Sequence, residues 1–152
     1  MMKRTIFGWL FMCFVIAVSA QNLKFKDGKF KIIQFTDLHY KLGNPASRQA
    51  TDCLYEIVKA EQPDLIVLTG DVIYSKPGDM CLQQILNIMS DLKVPFCYLL
   101  GNHDPEQGTP VTQLYDQAQQ NTYCVQPKRN GNALDFALPI KSSDGAKTAA
   151  VI

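Results

Sequence analysis

The chain contains three short apolar runs, at residues 30–36, 65–69 and 94–100, each with the length of a β-strand. The second run is continuously apolar, which is typical of a strand whose two sheet faces are both covered. Segments with helical periodicity separate the runs, so the strands are expected to be parallel. Right-handed crossovers then predict an α/β fold in which β-α-β units form packed layers.

Three segments have the spacing of amphipathic helices. The first, residues 46–61, places these apolar side chains on one face: Ala50, Cys53, Leu54, Ile57 and Val58. Asp79 is predicted to cap the second helix, whose inner stripe comprises Cys81, Leu82, Ile85, Leu86 and Met89. Thr109 and Pro110 are typical of an N-cap followed by proline at the first helical position, and this third helix should end near Asn121.

The last thirty residues change character and favour β-structure. Two runs, at residues 123–125 and 134–140, flank an Asn130-Gly131 turn, a pattern that predicts a β-hairpin. A further turn at residues 142–145 precedes a final strand at residues 148–152. Because this strand is still apolar at the last residue, we expect the sequence to be the front part of a longer domain.

The first twenty residues predict a secretory signal peptide. Two basic residues precede an apolar stretch at residues 6–18, and Val18-Ser19-Ala20 supplies the small residues that a signal peptidase reads. The stretch is shorter than the roughly 20 residues that span a bilayer, although an uncleaved anchor is the alternative. We therefore divide the chain into a signal peptide (residues 1–20) and a domain portion (residues 21–152). This division predicts a secreted or periplasmic protein with no stable membrane span after cleavage.

Composition and charge narrow the range of functions. Apolar residues make up 47% of the 152 residues and charged residues 19%, which indicates a folded domain. The formal charge of +1 and the absence of a basic patch make nucleic acid an unlikely partner. After loss of Cys13 with the leader, we expect buried free thiols at Cys53, Cys81 and Cys97. The chain has no Cys-x-x-Cys pair, so a structural zinc site is not expected.

Each predicted strand of the parallel sheet ends in a polar motif. The motifs are Asp37-Leu38-His39, Gly70-Asp71 and Gly101-Asn102-His103-Asp104. An aspartate after a strand can simply begin a turn. Here, however, the only two histidines of the chain both lie in these motifs. Ligands of parallel sheets gather at the carboxyl ends of the strands, so we expect carboxylates, imidazoles and a carboxamide to meet there and bind divalent metal.

These three motifs resemble the first three blocks of the calcineurin-like metallophosphoesterase superfamily, in an exported bacterial branch near the purple acid phosphatases. The resemblance covers residues 30–105 and implies the N-terminal half of a layered β-α-β sandwich with two metal ions, Mn, Zn or Fe. It implies metal ligation by Asp37, His39, Asp71 and Asn102. It also implies that Asp71 bridges the metals and that His103, oriented by Asp104, acts on the leaving-group oxygen or on the phosphate.

The same resemblance implies hydrolysis of a small phosphorylated substrate by a two-metal-activated water, with phosphomonoesters favoured. A phosphodiesterase or nuclease of the superfamily is an alternative, because these motifs do not separate monoesters from diesters. The family has two further histidine blocks downstream, whereas this chain has no histidine after His103. An inactive exported binding domain is therefore a third hypothesis.

Tyr74 has two interpretations. Gly70-Asp71-Val72-Ile73-Tyr74 is similar to the Gly-Asp-x-x-Tyr block of purple acid phosphatases, in which the tyrosinate binds ferric iron. That branch has glycine where this chain has His39, so a histidine ligand could replace the tyrosine. We favour Tyr74 as a pocket or packing residue.

Overall fold

A parallel three-stranded sheet forms the centre of the structure, a computed structural model that describes residues 23–152. The predicted signal peptide lies outside the described residues. The strands and helices run in the order β1 (Ile32–Phe35), α1 (Pro45–Glu61), β2 (Leu65–Thr69), α2 (Gly78–Leu92), β3 (Phe96–Leu99), a 3₁₀ turn (Asp104–Gln107), α3 (Val111–Gln119), β4 (Pro139–Lys141) and β5 (Thr148–Val151).

The sheet order is β1-β2-β3, with β2 in the middle and both pairs parallel. A second sheet consists of β4 and β5, which pair antiparallel, and Lys24 forms a parallel bridge to Lys141 on the other side of β4. The alternation of strands and helices confirms the predicted α/β class and parallel sheet, and it agrees with a metallophosphoesterase-type sandwich.

Apolar clusters pack on both faces of the parallel sheet, although Ile32 and Leu99 are 40% and 42% exposed. On one face the apolar stripes of the three helices pack on Ile66, Leu68, Phe96 and Tyr98. On the other face Leu65 and Cys97 pack with three residues from outside the parallel sheet, Leu23, Leu138 and Ile140. Full burial of one such side chain stabilises a fold by about 1.5–3 kcal/mol, so the two clusters hold the three layers together.

The helix starts differ from the predicted ones at two places. The residue before α2 is Pro77, which makes no side-chain cap, and the backbone N–H of Asp79 donates to the Thr109 hydroxyl. Pro110 precedes α3, which begins at Val111. Asp79 was wrongly predicted as the cap of α2, because this helix already starts at Gly78. Thr109 was wrongly predicted as the cap of α3, because its hydroxyl accepts a hydrogen bond from the start of α2.

The predicted hairpin around Asn130-Gly131 is wrong, although the local turn forms through a bridge between Asn130 and Ala133. Cys124 instead pairs with Phe96 at the open edge of β3, where Phe96 donates to the Tyr123 carbonyl. The later run pairs with β5. The two predicted arms of the hairpin therefore pair with β3 and β5 and not with each other. The predicted final strand is confirmed as β5.

The cysteines follow the predictions except at one position. Cys81 and Cys97 are buried free thiols, and burial raises the pKa of Cys97 to about 11. Cys53 is exposed, so its predicted burial was wrong. It lies beside the buried stripe of α1 and shares an uncovered flank with Ile57, which is 36% exposed. Within residues 23–152, no helix combines the length and apolar character needed to cross a membrane.

Candidate metal centre

The loops after β1 and β2 run side by side at the carboxyl edge of the sheet. The backbone N–H groups of Asp37, His39 and Tyr40 donate to the carbonyls of Gly70, Asp71 and Val72, at 3.2, 2.9 and 2.9 Å. This ladder continues the pairing of the two strands beyond their ends. It brings the first two polar motifs into contact.

Three of the predicted ligands form one cluster. A ligand atom from each of Asp37, His39 and Asp71 lies within 4.8 Å of the others. The His39 Nε2 atom is 3.8 Å from Asp37 Oδ1 and 3.8 Å from Asp71 Oδ2, which is too far for a hydrogen bond. Two carboxylates and an imidazole at this spacing could surround a divalent cation.

The His39 Nε2 atom tests whether the cluster fits a metal. This atom is buried and has no hydrogen-bond partner, although 41% of the side chain is exposed. A buried polar atom without a partner is destabilising, and a neutral imidazole nitrogen is a common metal ligand. The donor set and this unpartnered atom therefore fit a bound cation.

The three residues of the cluster adopt a strained backbone. Asp37, His39 and Asp71 have φ values of 54°, 44° and 51°, in the left-handed region that L-residues rarely occupy. Such a conformation costs about 1 kcal/mol or more per residue and is found preferentially at functional sites. The interloop hydrogen bonds hold the three residues in this conformation.

Two glycines bring the third motif close to the second. A Cβ atom at Gly70 would lie 2.6 Å from the Gly101 Cα atom, and a Cβ atom at Gly101 would overlap the Asp71 carboxylate. Both positions therefore require glycine. The resulting approach lets the His103 backbone N–H donate to Asp71 Oδ1 at 2.8 Å, which fixes the carboxylate.

The Asp104 carboxylate has different hydrogen-bond partners from the one predicted. Its side chain is fully buried, and its two oxygens accept backbone N–H groups at 2.7–3.1 Å from four residues, Asp71, Val72, Ile73 and Gly101. The carboxylate thus clamps the loop after β2 to the loop after β3. The prediction that it orients the His103 ring was wrong, because both oxygens are used by the backbone.

Glu106 is the partner of the His103 ring. Its Oε2 atom lies 2.7 Å from His103 Nδ1, and this hydrogen bond, aided by its charge, raises the pKa of His103 above its ordinary value although desolvation opposes the shift. Sequence reasoning missed Glu106. Two features of the sequence could have indicated Glu106. It follows His103 by three residues, a spacing that brings side chains together on a helical turn, and Pro105 is typical of the start of such a turn.

Tyr74 contacts both histidines of the site. Its ring stacks on His39 with centroids 4.8 Å apart and meets the His103 ring edge-on at 5.1 Å. These contacts agree with the favoured packing interpretation. Iron ligation by Tyr74 stays untested.

Asn102 is exposed in the loop after β3. Its neighbours Gly101 and His103 donate their backbone N–H groups to Asp104 and Asp71. These bonds hold Asn102 next to the cluster. Its metal ligation stays a prediction, as do the roles of His103 in catalysis and of Asp71 as a bridge.

Comparisons with known proteins agree with this geometry. A family model described as calcineurin-like phosphoesterase matches residues 30–147. "Probable inactive purple acid phosphatase 29" of Arabidopsis thaliana is 32% identical over 111 residues, which cover 60% of this chain and 28% of that protein.

Two other relatives carry different names. "Phosphatase DCR2" of Saccharomyces cerevisiae is 30% identical over 131 residues, covering 72% of this chain and 22% of its own length. "Probable cyclic nucleotide phosphodiesterase" of Psychrobacter arcticus is 33% identical over 91 residues, covering 51% of this chain and 32% of its own. The chain thus spans about a third or less of the length of these curated relatives.

Proposed function

The chain belongs to the calcineurin-like phosphoesterase family, and from this membership we propose that it supplies part of a two-metal centre that hydrolyses phosphate esters. Phosphomonoesters are the favoured substrates. The observation that carries the proposal is the cluster of Asp37, His39 and Asp71, in which the buried His39 Nε2 atom has no hydrogen-bond partner.

In this proposal Asp37 and His39 would hold one metal, Asp71 would be shared by both, and Asn102 would hold the second. Metals bound in such a centre supply Lewis-acid chemistry, which activates water and neutralises charge on phosphoryl oxygens. The carboxamide of Asn102 adds no negative charge next to an anionic substrate. Mn, Zn and Fe ions are all compatible with this mixture of oxygen and nitrogen ligands.

His103 is proposed as the proton donor to the leaving-group oxygen. The hydrogen bond with Glu106 raises the pKa of His103 and so favours its protonated form. Glu106 also restrains the ring. Asp104 acts indirectly in this scheme, because its clamp on the two loops holds Asp71 and His103 in register.

Hydrolysis of p-nitrophenyl phosphate by the full-length protein with Mn²⁺, Zn²⁺ or Fe tests the proposal. We expect metal-dependent turnover that a chelator abolishes and added metal restores. Full-length protein that binds metal yet hydrolyses neither a phosphomonoester nor a phosphodiester would contradict it.

Phosphodiester hydrolysis is the second candidate, favoured by the relative named as a probable cyclic nucleotide phosphodiesterase. Parallel assays with p-nitrophenyl phosphate and bis-p-nitrophenyl phosphate separate the two. A higher kcat/KM for the diester would replace the monoester proposal.

A binding domain without catalysis is the third candidate. It is favoured by the relative named as a probable inactive purple acid phosphatase. Calorimetric titration of the full-length protein with Mn²⁺ tests it. Tight binding of two equivalents, together with turnover, would exclude this candidate.

We also propose that the protein is exported, secreted or periplasmic, because residues 1–20 have the pattern of a signal peptide. N-terminal sequencing of the mature protein should begin at Gln21. A mature protein that retains its first residues would contradict cleavage.

A further inference from the structure

One lysine contacts an aromatic ring of the candidate site. The Lys41 ammonium lies 4.9 Å from the centre of the Tyr74 ring, the same ring that stacks on His39 at 4.8 Å. Lys41 follows His39 by two residues in the loop after β1. A cation over an aromatic face is attracted by the ring, by about 0.5–1 kcal/mol at an exposed site. The contact therefore places a positive charge over a ring that itself stacks on His39.

This charge is not used for an ion pair. Among residues 23–152, Lys41 forms no salt bridge, whereas Lys26 and Lys31 pair with Asp64 and Glu61. The ring that it contacts, Tyr74, packs on both histidines of the candidate site. The ammonium is thus free to meet an anionic group that arrives with the substrate.

We propose that Lys41 is a specificity-determining residue that selects phosphomonoester dianions over phosphodiester monoanions at the candidate centre. This inference rests on the proposed phosphoesterase function and names the substrate class. A monoester carries one more negative charge and one more unesterified oxygen than a diester. The Lys41 ammonium can form a charge-assisted hydrogen bond to that oxygen, whereas in a diester the oxygen carries a second alcohol group.

Tyr74 acts as the positioning residue in this arrangement. Its ring holds the four-carbon lysine side chain, whose many rotamers would otherwise spread the charge over a wide volume. The aromatic ring provides the attraction without its hydroxyl. Tyr74→Phe should therefore preserve selectivity, and Tyr74→Leu should weaken it.

The test compares kcat/KM for p-nitrophenyl phosphate with that for bis-p-nitrophenyl phosphate in the full-length, Mn²⁺-loaded protein. We expect Lys41→Met to lower this ratio about tenfold, the loss of one hydrogen bond to a charged group, and Lys41→Arg to retain most of it. Lys76→Met is the matched control. Lys76 is another exposed lysine, in the loop after β2, and its side chain lies near Gly108 rather than Tyr74.

A ratio that is unchanged in Lys41→Met, or lowered equally in Lys76→Met, overturns the inference and leaves the proposed function intact. Absence of all turnover in the wild-type protein overturns the proposed function instead. In that case the role of Lys41 is tested by calorimetric titration with inorganic phosphate at about pH 8, where phosphate is mainly dianionic. Phosphate binding about tenfold weaker in Lys41→Met, with dimethyl phosphate binding unchanged, supports its preference for dianions, and equal phosphate binding overturns it.

Discussion

The two ends of the parallel sheet use aspartate in opposite ways. At the amino end, Asp64 accepts hydrogen bonds from Lys26 Nζ at 2.7 Å and from the Lys31 backbone N–H at 2.9 Å. At the carboxyl end, Asp37 and Asp71 have no lysine or arginine within ion-pair distance among the described residues. The amino end is electrostatically neutralised, and the carboxyl end keeps its negative charge.

By this difference Asp64 is a structural carboxylate, whereas the carboxylates of Asp37 and Asp71 are available to a ligand. The pair at Asp64 favours the folded state, whereas the neighbouring charges and positive φ angles of Asp37 and Asp71 oppose it. A fold keeps such a costly arrangement when the compensation comes from function, which in our proposal is the binding of a cation. Variants at the two ends should therefore differ in whether they change stability or metal binding.

Asp104→Ala should have the largest effect, because it removes the clamp that supports the carboxyl end. Four backbone N–H groups would lose their acceptor inside the protein. We expect a loss of about 3–5 kcal/mol in the free energy of unfolding, measured by urea denaturation. Glu106→Ala, which removes an exposed carboxylate from the same turn, is the control and should cost less than about 1 kcal/mol. Equal losses in the two variants would contradict the clamp.

Asp71→Asn should separate metal binding from stability. The amide oxygen can still accept the His103 N–H, but the negative charge is lost. We expect calorimetry to show Mn²⁺ affinity reduced about 100-fold or more, since losing even indirect partners of a metal costs 10–100-fold. The metal-free variant should unfold at the same urea concentration as the parent or a higher one. Asp64→Asn, the matched change at the amino end, should leave Mn²⁺ affinity unchanged, and weakened binding there would break the comparison.

Sequence patterns predicted the parts of this structure that depend on local chemistry. The parallel strands and the inner stripe of α2 follow from apolar periodicity, and the cluster of Asp37, His39 and Asp71 follows from motifs at strand ends. The calcineurin-like resemblance is confirmed by the family match.

The errors arise where several hydrogen-bond donors compete for one acceptor. Asp104 follows His103 directly, yet four converging backbone N–H groups take its carboxylate and leave the ring to Glu106. The Thr109 hydroxyl similarly serves the start of α2 rather than its own helix. Which hydrogen bonds form depends on the distances between separate loops in the folded chain, and the spacing of residues along the sequence does not contain these distances.

Asp64→Asn should reveal the stabilising carboxylate through its pH dependence. Burial alone would raise the pKa of Asp64, but the hydrogen bonds from Lys26 and Lys31 outweigh it and hold the pKa below its ordinary value. A depressed folded-state pKa gives stability that is complete above about pH 4 and is lost as the pH falls through that pKa. The variant should therefore be less stable by about 1 kcal/mol at neutral pH, and the gap should close in acid. Urea denaturation across this range measures the gap; a gap that stays constant in acid would assign the effect to packing.

Lys93→Gly should have the smallest effect and tests strain without function. Lys93 ends α2 at the amino side of the sheet with φ 57°, close to the 54° of Asp37. Glycine adopts this conformation without a Cβ clash, so the variant should be more stable by about 0.5–1 kcal/mol and bind Mn²⁺ as before. Asp37→Gly relieves the same backbone strain and removes a carboxylate, so any gain in thermal stability should come with weaker Mn²⁺ binding. If Asp37→Gly binds Mn²⁺ as tightly as Lys93→Gly does, the positive φ at the carboxyl end is ordinary turn geometry and not a cost that metal binding compensates.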